Sequence, residues 1–174
     1  MIPDRKLGVA VLTNQEMGPA FESITYWILD HYLEAEPRDW ISLYHDLWNL
    51  GQARVAARDS TEASSRDTAS RPSLGLPDYA GTYRDAWYGD VEIREEAGHL
   101  VVQFGRTPSL LGDLEHWQYD TFYVRWRDRE LRADALITFE LDAGGKVAAA
   151  RMKAASPSVD FSYDFQDLDL RRTE

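Results

Sequence analysis

The chain has 174 residues, a length that suits one domain or one domain plus a fragment. Its formal net charge of −11 and isoelectric point of about 4.8 argue against nucleic-acid and anionic membrane surfaces, because both bind through cationic groups. The absence of cysteine excludes disulfides, thiolate metal sites and cysteine nucleophiles, and no apolar run approaches the ~20 residues of a membrane span.

A short apolar run, Leu-Gly-Val-Ala-Val-Leu at residues 7–12, lies between charged residues 4–6 and polar residues 13–15. Such a run predicts a strand that is buried on both faces. The charges at 4–6 also interrupt any signal-peptide apolar region that would begin at Met1. A buried strand needs neighbouring strands, and the rest of the chain does not obviously supply them.

Two helices are predicted after this run. Apolar residues recur at helical spacing over residues 20–35, and Pro19 suits a first helical turn. A second apolar face follows Asp39, which is expected to be the N-cap. This helix either ends at Gly51 or continues toward residue 58.

A change of composition divides the chain. Residues 59–73, DSTEASSRDTASRPS, are rich in serine and threonine and contain no large apolar residue. They predict an exposed linker. The expected organisation is an N-terminal region at 1–58, a linker at 59–76 and a second domain at 77–174.

The period of the apolar residues becomes two in the second domain, which predicts strands with one buried face and one wet face. Turn signals separate them, so sequential strands are expected to be antiparallel neighbours. The expected fold class is α+β: an N-terminal strand and two helices, plus an all-β antiparallel barrel of about eight strands, with a two-sheet sandwich as the alternative. The strands are predicted near residues 81–85, 88–95, 99–105, 109–117, 121–127, 134–142, 146–153 and 160–166.

The sequence offers no catalytic motif. There is no G-x-S-x-G elbow, and no lysine stands at S-x-x-K spacing; K-T-G, H-x-G, S-x-N and Y-x-N are absent too. No two histidines have metal-ligand spacing, and structural, hydrogen-bonded histidines are the favoured interpretation. The acidic segment at 160–169 favours a solvated strand face over a calcium site, because it lacks the glycine turn of a calcium loop. No catalytic residue, cofactor or metal is therefore expected.

A ligand site inside the barrel is the one binding hypothesis that the residues support. Small barrels either fill their interior with side chains or enclose a ligand, and the filled interior is favoured here. The aromatic and imidazole side chains that would line a ligand site are Tyr83, Trp87, Phe104, His116, Trp117, Phe122 and Trp126.

Several segments resemble a known group of proteins. "IPDRKLGVAVLTNQ" resembles the closing strand of the serine β-lactamase-like hydrolases, the penicillin-binding-protein and CubicO group. "LPDYAGTYRDAWYGDVEI", with "GDLEHWQYDTFYVRW" and "DFSYDFQDL", resembles the lipocalin-like C-terminal domain of unknown function that many of these hydrolases carry. The second resemblance is the more specific, since several spaced motifs agree in order.

The resemblance implies a non-catalytic C-terminal accessory region of such a hydrolase, because none of the family's catalytic motifs matches a position here. The barrel would cover the active-site side or mediate subunit contacts, and the alternative is a stand-alone barrel that binds an apolar small molecule. The implied partners are the remainder of the hydrolase domain, upstream of Met1, and a second copy in a homo-oligomer or segment-exchanged dimer. The compartment is unknown, and an extracytoplasmic location is favoured if the parent carries a signal peptide.

Overall fold

The structure, a computed structural model, describes residues 1–14, 17–160 and 162–173. It divides into two compact units, Met1–Arg58 and Asp59–Glu174. Among the described helices, none combines the length and the apolarity needed to cross a membrane.

Two helices dominate the first unit. Helix α1 is Gly18–Leu33, with a proline in its first turn, and helix α2 is Trp40–Ser64. Asp39 caps α2, because its carboxylate accepts hydrogen bonds from the backbone N–H of Ser42 at 3.0 Å and from its hydroxyl at 2.7 Å. Both predicted helices and the predicted cap are confirmed. Helix α2 passes through Gly51 and continues to Ser64, so residues 59–64 are helical where the sequence predicts linker.

The predicted strand at residues 7–12 does not form. Leu7 makes an isolated antiparallel bridge with Ile2, and the residues that follow it have no regular structure. Leu12 is 95% exposed. An extended segment becomes a buried strand only when neighbours satisfy its backbone N–H and C=O groups, and the described residues of this unit form no sheet that could do so.

The second unit is a closed antiparallel barrel, which confirms the predicted α+β class. Within the described part of the chain, eight strands pair in sequence order, and the last pairs with the first through Tyr83 opposite Arg172. The strands are β1 (Gly81–Asp85), β2 (Gly89–Glu96), β3 (His99–Phe104), β4 (Leu111–Gln118), β5 (Thr121–Trp126), β6 (Ala135–Leu141), β7 (Val147–Ala154) and β8 (Leu170–Arg172). A short helix, α3 (Leu76–Tyr79), precedes β1.

The predicted eighth strand at 160–166 is wrong. The described residues of that segment form turns and the start of a 3-10 helix, Phe165–Asp167, while β8 lies at 170–172; Phe161 lies outside the described residues. The alternation of Tyr163 and Phe165 with polar residues arises from ring stacking and not from a strand. The rings of Tyr163 and Phe165 stack 5.7 Å apart, and Phe165 stacks on Trp126 at 5.9 Å, so the segment covers one end of the barrel instead of pairing along its wall.

Aromatic side chains close the barrel at both ends. Tyr79 of α3 packs edge-on against Phe122 at 5.3 Å and against Phe139 at 4.9 Å, at the end where β5 begins. Phe165 closes the opposite end, where β5 finishes at Trp126. Between them, the interior is filled by inward-facing side chains that alternate along each strand, including Val91, Ile93, Leu100, Val102, Val124, Ile137 and Leu170.

Candidate functional site

Four of the seven predicted ligand-lining residues belong to the packed core. Tyr83, Phe122 and Trp126 are at most 1% exposed, and Phe104 is 4% exposed. The Phe104 ring contacts the Trp126 ring edge-on at 6.0 Å, and the Trp126 indole N–H donates to the Ala133 carbonyl at 2.7 Å. These side chains fill the barrel and contact one another. Tyr83 also donates its hydroxyl proton to the Tyr79 carbonyl at 2.7 Å, and burial raises its pKa to about 12.

The other three predicted residues lie apart from this cluster. His116 is at the rim, where its ring contacts Phe122 edge-on and Nε2 lies 3.0 Å from the Tyr119 carbonyl oxygen. Trp117 is stacked under the Arg66 guanidinium, 4.7 Å from its ring centroid. Trp87 is 80% exposed in the turn between β1 and β2. The structure therefore does not bring the seven residues together around one open volume.

The segment before the barrel is fastened to the turn between β4 and β5, a contact set that sequence reasoning missed. Arg66 donates to the carbonyl oxygens of His116 at 2.8 Å and Trp117 at 2.5 Å. The Asp120 carboxylate accepts from the Ser73 backbone N–H and hydroxyl, both at 2.8 Å, and from the Tyr79 hydroxyl. These contacts anchor the segment from Arg66 to Tyr79 to one end of the barrel.

The Asp120 carboxylate is charged at neutral pH. Burial alone would raise its pKa, but hydrogen bonds from Tyr79 and Ser73 outweigh burial and hold the pKa below the usual value. Burial, together with the Asp120 charge, raises the pKa of Tyr79, so the phenol stays protonated and donates. Three of the roughly four acceptor positions of the Asp120 carboxylate are therefore used in holding the segment before the barrel.

A second buried carboxylate organises the opposite end. Asp85, 6% exposed, accepts from the backbone N–H groups of Trp87 at 2.7 Å, Tyr88 at 2.8 Å and Asp169 at 2.9 Å. Burial alone would raise its pKa, but these three backbone hydrogen bonds outweigh burial and lower it. Asp85 therefore joins the β1–β2 turn to the segment that leads into β8.

A small cleft opens at this same end of the barrel. Its volume is about 220 Å³. It is lined by aromatic and aliphatic side chains with a few polar ones: Tyr88, Phe104, Thr107, Leu110, Ser162, Tyr163, Asp164, Phe165 and Leu168. Phe104 is the only member of this lining that the sequence predicted. The others come from the β1–β2 turn, the β3–β4 loop and residues 162–168, which are distant in sequence.

Charged groups on the barrel exterior pair with one another. Arg127 donates to Asp113 at 2.8 Å and to Glu96 at 3.0 Å, and His99 Nε2 lies 3.1 Å from the same Asp113 carboxylate. The hydrogen bond from Arg127 holds the pKa of Asp113 below its usual range. His99 and His116 thus each have a hydrogen-bond partner. In the described residues, no group of three or more histidine or acidic side chains could hold a metal ion.

The first unit presents apolar side chains to solvent. The only buried side chain among the described residues of α1 and α2 is Ser23, whose hydroxyl bonds to the carbonyl oxygens of Pro19 and Trp40. Trp27 is 66% exposed and Ile41 is 74% exposed. An open cleft of about 880 Å³ lies between the two helices, with walls that include Ile24, Trp27, Ile28, Trp40 and Ile41.

Comparison with known proteins identifies the barrel. The family model "Domain of unknown function (DUF3471)" matches residues 65–172. The chain belongs to the DUF3471 family. Its DUF3471 domain therefore comprises the anchored segment and all eight strands.

A solved structure is similar to part of this chain. It is the crystal structure of the C-terminal domain of penicillin binding protein Rv0907, with 22% sequence identity and a TM-score of 0.46. The match covers 63% of this chain and 94% of that chain. The search of curated proteins gave no match.

Proposed function

We propose that this chain is a non-catalytic C-terminal accessory region of a β-lactamase-like serine hydrolase. Residues 1–58 complete the hydrolase domain, and the barrel covers the active-site side or mediates subunit contacts. The observation that carries the proposal is the exposure of the first unit. Its two helices bear large apolar side chains, yet no apolar residue of α1 or α2 is buried among those described. Apolar surfaces of this extent mark an interface.

The sequence of the first unit indicates what covers it. The apolar run at residues 7–12 has the composition of a doubly buried strand but no strand neighbours. Helices α1 and α2 leave an apolar cleft open between them. A sheet that accepts 7–12 as an additional strand, with α1 and α2 packed on one face, satisfies both features. The resemblance of this segment to the closing strand of the serine hydrolases supports the same arrangement.

The filled barrel supports an accessory role over that of a carrier. Tyr83, Phe104, Phe122 and Trp126 pack against other core side chains, and ligand carriers of this size keep an internal cavity instead. The sequence also contains none of the serine hydrolase motifs, so no residue of this chain is assigned to catalysis.

Hydrogen exchange tests the proposal directly. The DNA upstream of codon 1 is read for an in-frame S-x-x-K motif, and the extended protein is expressed beside the 174-residue chain. In the extended protein, amides of α1 and residues 7–12 are expected to exchange at least ~100-fold more slowly than in the short chain, because burial and strand pairing protect them. Barrel amides serve as the internal control and exchange equally in both.

Active-site labelling separates the two proteins chemically. A fluorophosphonate probe is expected to label one serine of the extended protein and none of the 174-residue chain, and only the extended protein hydrolyses nitrocefin or p-nitrophenyl esters. Stoichiometric labelling of the 174-residue chain would overturn the proposal, as would equal exchange of α1 in both proteins.

A further inference from the structure

The small cleft at the Phe165 end of the barrel, here called the end pocket, is built from a column of stacked rings. Trp126 and Phe165 stack at 5.9 Å with 23° between their planes, and Phe165 and Tyr163 stack at 5.7 Å with 25°. Trp126 and Phe165 are buried, while Tyr163 is half-buried and lines the pocket. The column therefore ends in an aromatic ring at the wall of an open cleft, where a further planar group can stack.

The size of the end pocket limits its occupant. Pockets for drug-sized molecules have volumes of roughly 300–1,000 Å³. The end pocket holds about 220 Å³, which suits a group the size of one long side chain. A partner that inserts a single side chain must then contact the surface around the opening.

The β1–β2 turn, which supplies Tyr88 to the pocket wall, also carries an exposed indole. Trp87 is 80% exposed, and its neighbour Tyr88 forms part of the pocket wall. The backbone of the β1–β2 turn is held by two side chains. The Asp85 carboxylate accepts hydrogen bonds from the backbone N–H groups of Trp87 and Tyr88, and Arg106 donates to the Trp87 carbonyl at 3.0 Å. Preorganised tryptophan and tyrosine side chains beside a pocket are typical of the energetic centre of a protein–protein interface.

The end pocket has one carboxylate in its lining that can pair with a cation. Asp164 contributes an exposed carboxylate to its lining, with Gln166 as a hydrogen-bond partner. The segment from residue 154 to residue 170 contains aspartates at 160, 164, 167 and 169 and no lysine or arginine. Arg84, Arg106 and Arg129 lie at the same end of the barrel. Arg84 pairs with Asp90, Arg129 pairs with Asp134, and the Arg106 guanidinium donates to the Trp87 carbonyl. A carboxylate beside an aromatic face matches a guanidinium, which is planar, stacks on rings and pairs with carboxylates.

We infer that the end pocket binds an arginine side chain of a partner protein, which stacks on Tyr163, pairs with Asp164 and brings its flanking residues onto Trp87. The inference concerns the barrel alone and does not depend on the proposed hydrolase parent.

An NMR titration tests the inference on the full 174-residue chain. The ¹⁵N-labelled protein is titrated with three capped peptides, acetyl-Leu-Arg-Leu-amide and its lysine and citrulline analogues. The arginine peptide is expected to give saturable shifts at the amides of Thr107, Tyr163 and Asp164. The lysine peptide is expected to bind several-fold more weakly, because an ammonium cannot stack as a plane. The citrulline peptide, which has the same shape without the charge, is expected to bind at least about fivefold more weakly.

Matched variants assign the contacts. Asp164→Asn is expected to weaken binding of the arginine peptide about fivefold, the range of a partly exposed charge pair. Glu95→Gln removes an equal charge from an exposed position at the opposite end of the barrel and is expected to leave the affinity unchanged. Trp87→Ala is expected to weaken binding of the arginine tripeptide but not binding of capped arginine amide. This comparison distinguishes a protein partner from a free cation.

Three results would overturn the inference. They are equal binding of the arginine and citrulline peptides, the absence of saturable shifts at the end pocket up to about 10 mM peptide, and equal loss of affinity in Asp164→Asn and Glu95→Gln. Equal affinity for capped arginine amide and the tripeptide would overturn the assignment to a partner protein. The citrulline comparison uses the unmodified protein, so it decides the question even where a variant fails to fold.

Discussion

Replacing Asp85 by alanine removes one buried carboxylate that three backbone donors share. The N–H groups of Trp87, Tyr88 and Asp169 lie 2.7, 2.8 and 2.9 Å from its oxygens. Two of these donors belong to the β1–β2 turn, and the third leads into β8, the strand that closes the barrel. In Asp85→Ala the three N–H groups lose their acceptor in a site that is 6% exposed, and β8 loses its tie to the turn.

The expected loss of stability is large for one substitution. Each hydrogen bond to a charged group contributes about 1.5–3 kcal/mol, but three bonds to one carboxylate do not add, and the burial of the charge opposes them, so we expect a total of about 3 kcal/mol. In a chain of this length that corresponds to a decrease in melting temperature of about 10 °C. Urea unfolding monitored by tryptophan fluorescence measures the free energy of unfolding directly.

The pH dependence gives an independent check with a definite sign. The pKa of Asp85 is lower in the folded protein than in the unfolded chain. Its contribution is therefore fully present above the unfolded pKa, about 4, and is lost as the pH falls through the folded pKa. The difference in free energy of unfolding between the wild type and Asp85→Ala is expected to be constant near pH 7 and to decrease below about pH 4.

Asp128→Ala is the matched control. Asp128 is exposed and accepts one backbone hydrogen bond, from Glu130 at 3.1 Å, so its loss is expected to cost less than about 1 kcal/mol. Equal destabilisation by the two substitutions would refute the reasoning, because burial and the number of donors would then be irrelevant. A difference between the wild type and Asp85→Ala that persists unchanged in acid would refute the electrostatic part.

Three further predictions concern packing, a buried hydroxyl and association. Gly112→Ala places a Cβ 2.9 Å from the Trp126 ring and is expected to destabilise the barrel by about 2 kcal/mol, whereas Gly51→Ala meets nothing within 4 Å in helix α2 and is expected to raise helix content in circular dichroism. Tyr79→Phe removes a hydroxyl that bonds to the Leu74 N–H and the Asp120 carboxylate, and it is expected to lower the free energy of unfolding in urea by about 1–2 kcal/mol. This difference from the wild type is expected to be the same from pH 8 to pH 10, because the raised pKa of Tyr79 keeps the wild-type phenol protonated there. The full chain is expected to self-associate in sedimentation experiments through residues 1–58, and a concentration-independent monomer with rapid hydrogen exchange in 1–58 would contradict this expectation.

Local sequence signals were sufficient for most of the elements. Seven of the eight strands were predicted within a few residues. In several of them alternation, as in Val91 and Ile93, was the signal, because one wet face and one buried face impose a period of two. Asp39 before an apolar helical face predicted the start of α2, because its carboxylate satisfies backbone donors of the first turn. Short turns between consecutive strands predicted sequential antiparallel pairing and favoured a barrel over a two-sheet sandwich, because closure removes the two exposed edges. The structure has the closed barrel.

Alternation and composition gave wrong predictions at residues 160–166 and 59–64, where packing against distant segments decides the structure. Tyr163 and Phe165 alternate with polar residues because their rings stack over the barrel end, and that arrangement depends on Trp126, which is distant in sequence. Residues 59–64 resemble a linker in composition, yet they continue helix α2, and Glu62 pairs with Lys153 of β7 at 2.9 Å. Period and composition describe the chain one segment at a time and do not identify the surface against which a segment packs.

The amino-acid sequence by itself determined seven of the strands, the two helices and the absence of catalytic motifs, because these depend on local period, capping and residue type. The structure decided between a barrel and a two-sheet sandwich. Only the tertiary structure decided the roles of Asp85 and Asp120, two carboxylates with no distinguishing sequence context, which join segments up to 84 residues apart. It also placed Tyr88, Tyr163 and Asp164 around one cleft. Hydrogen-bond acceptors and pocket walls are defined by the groups that surround them, and the fold alone brings those groups together.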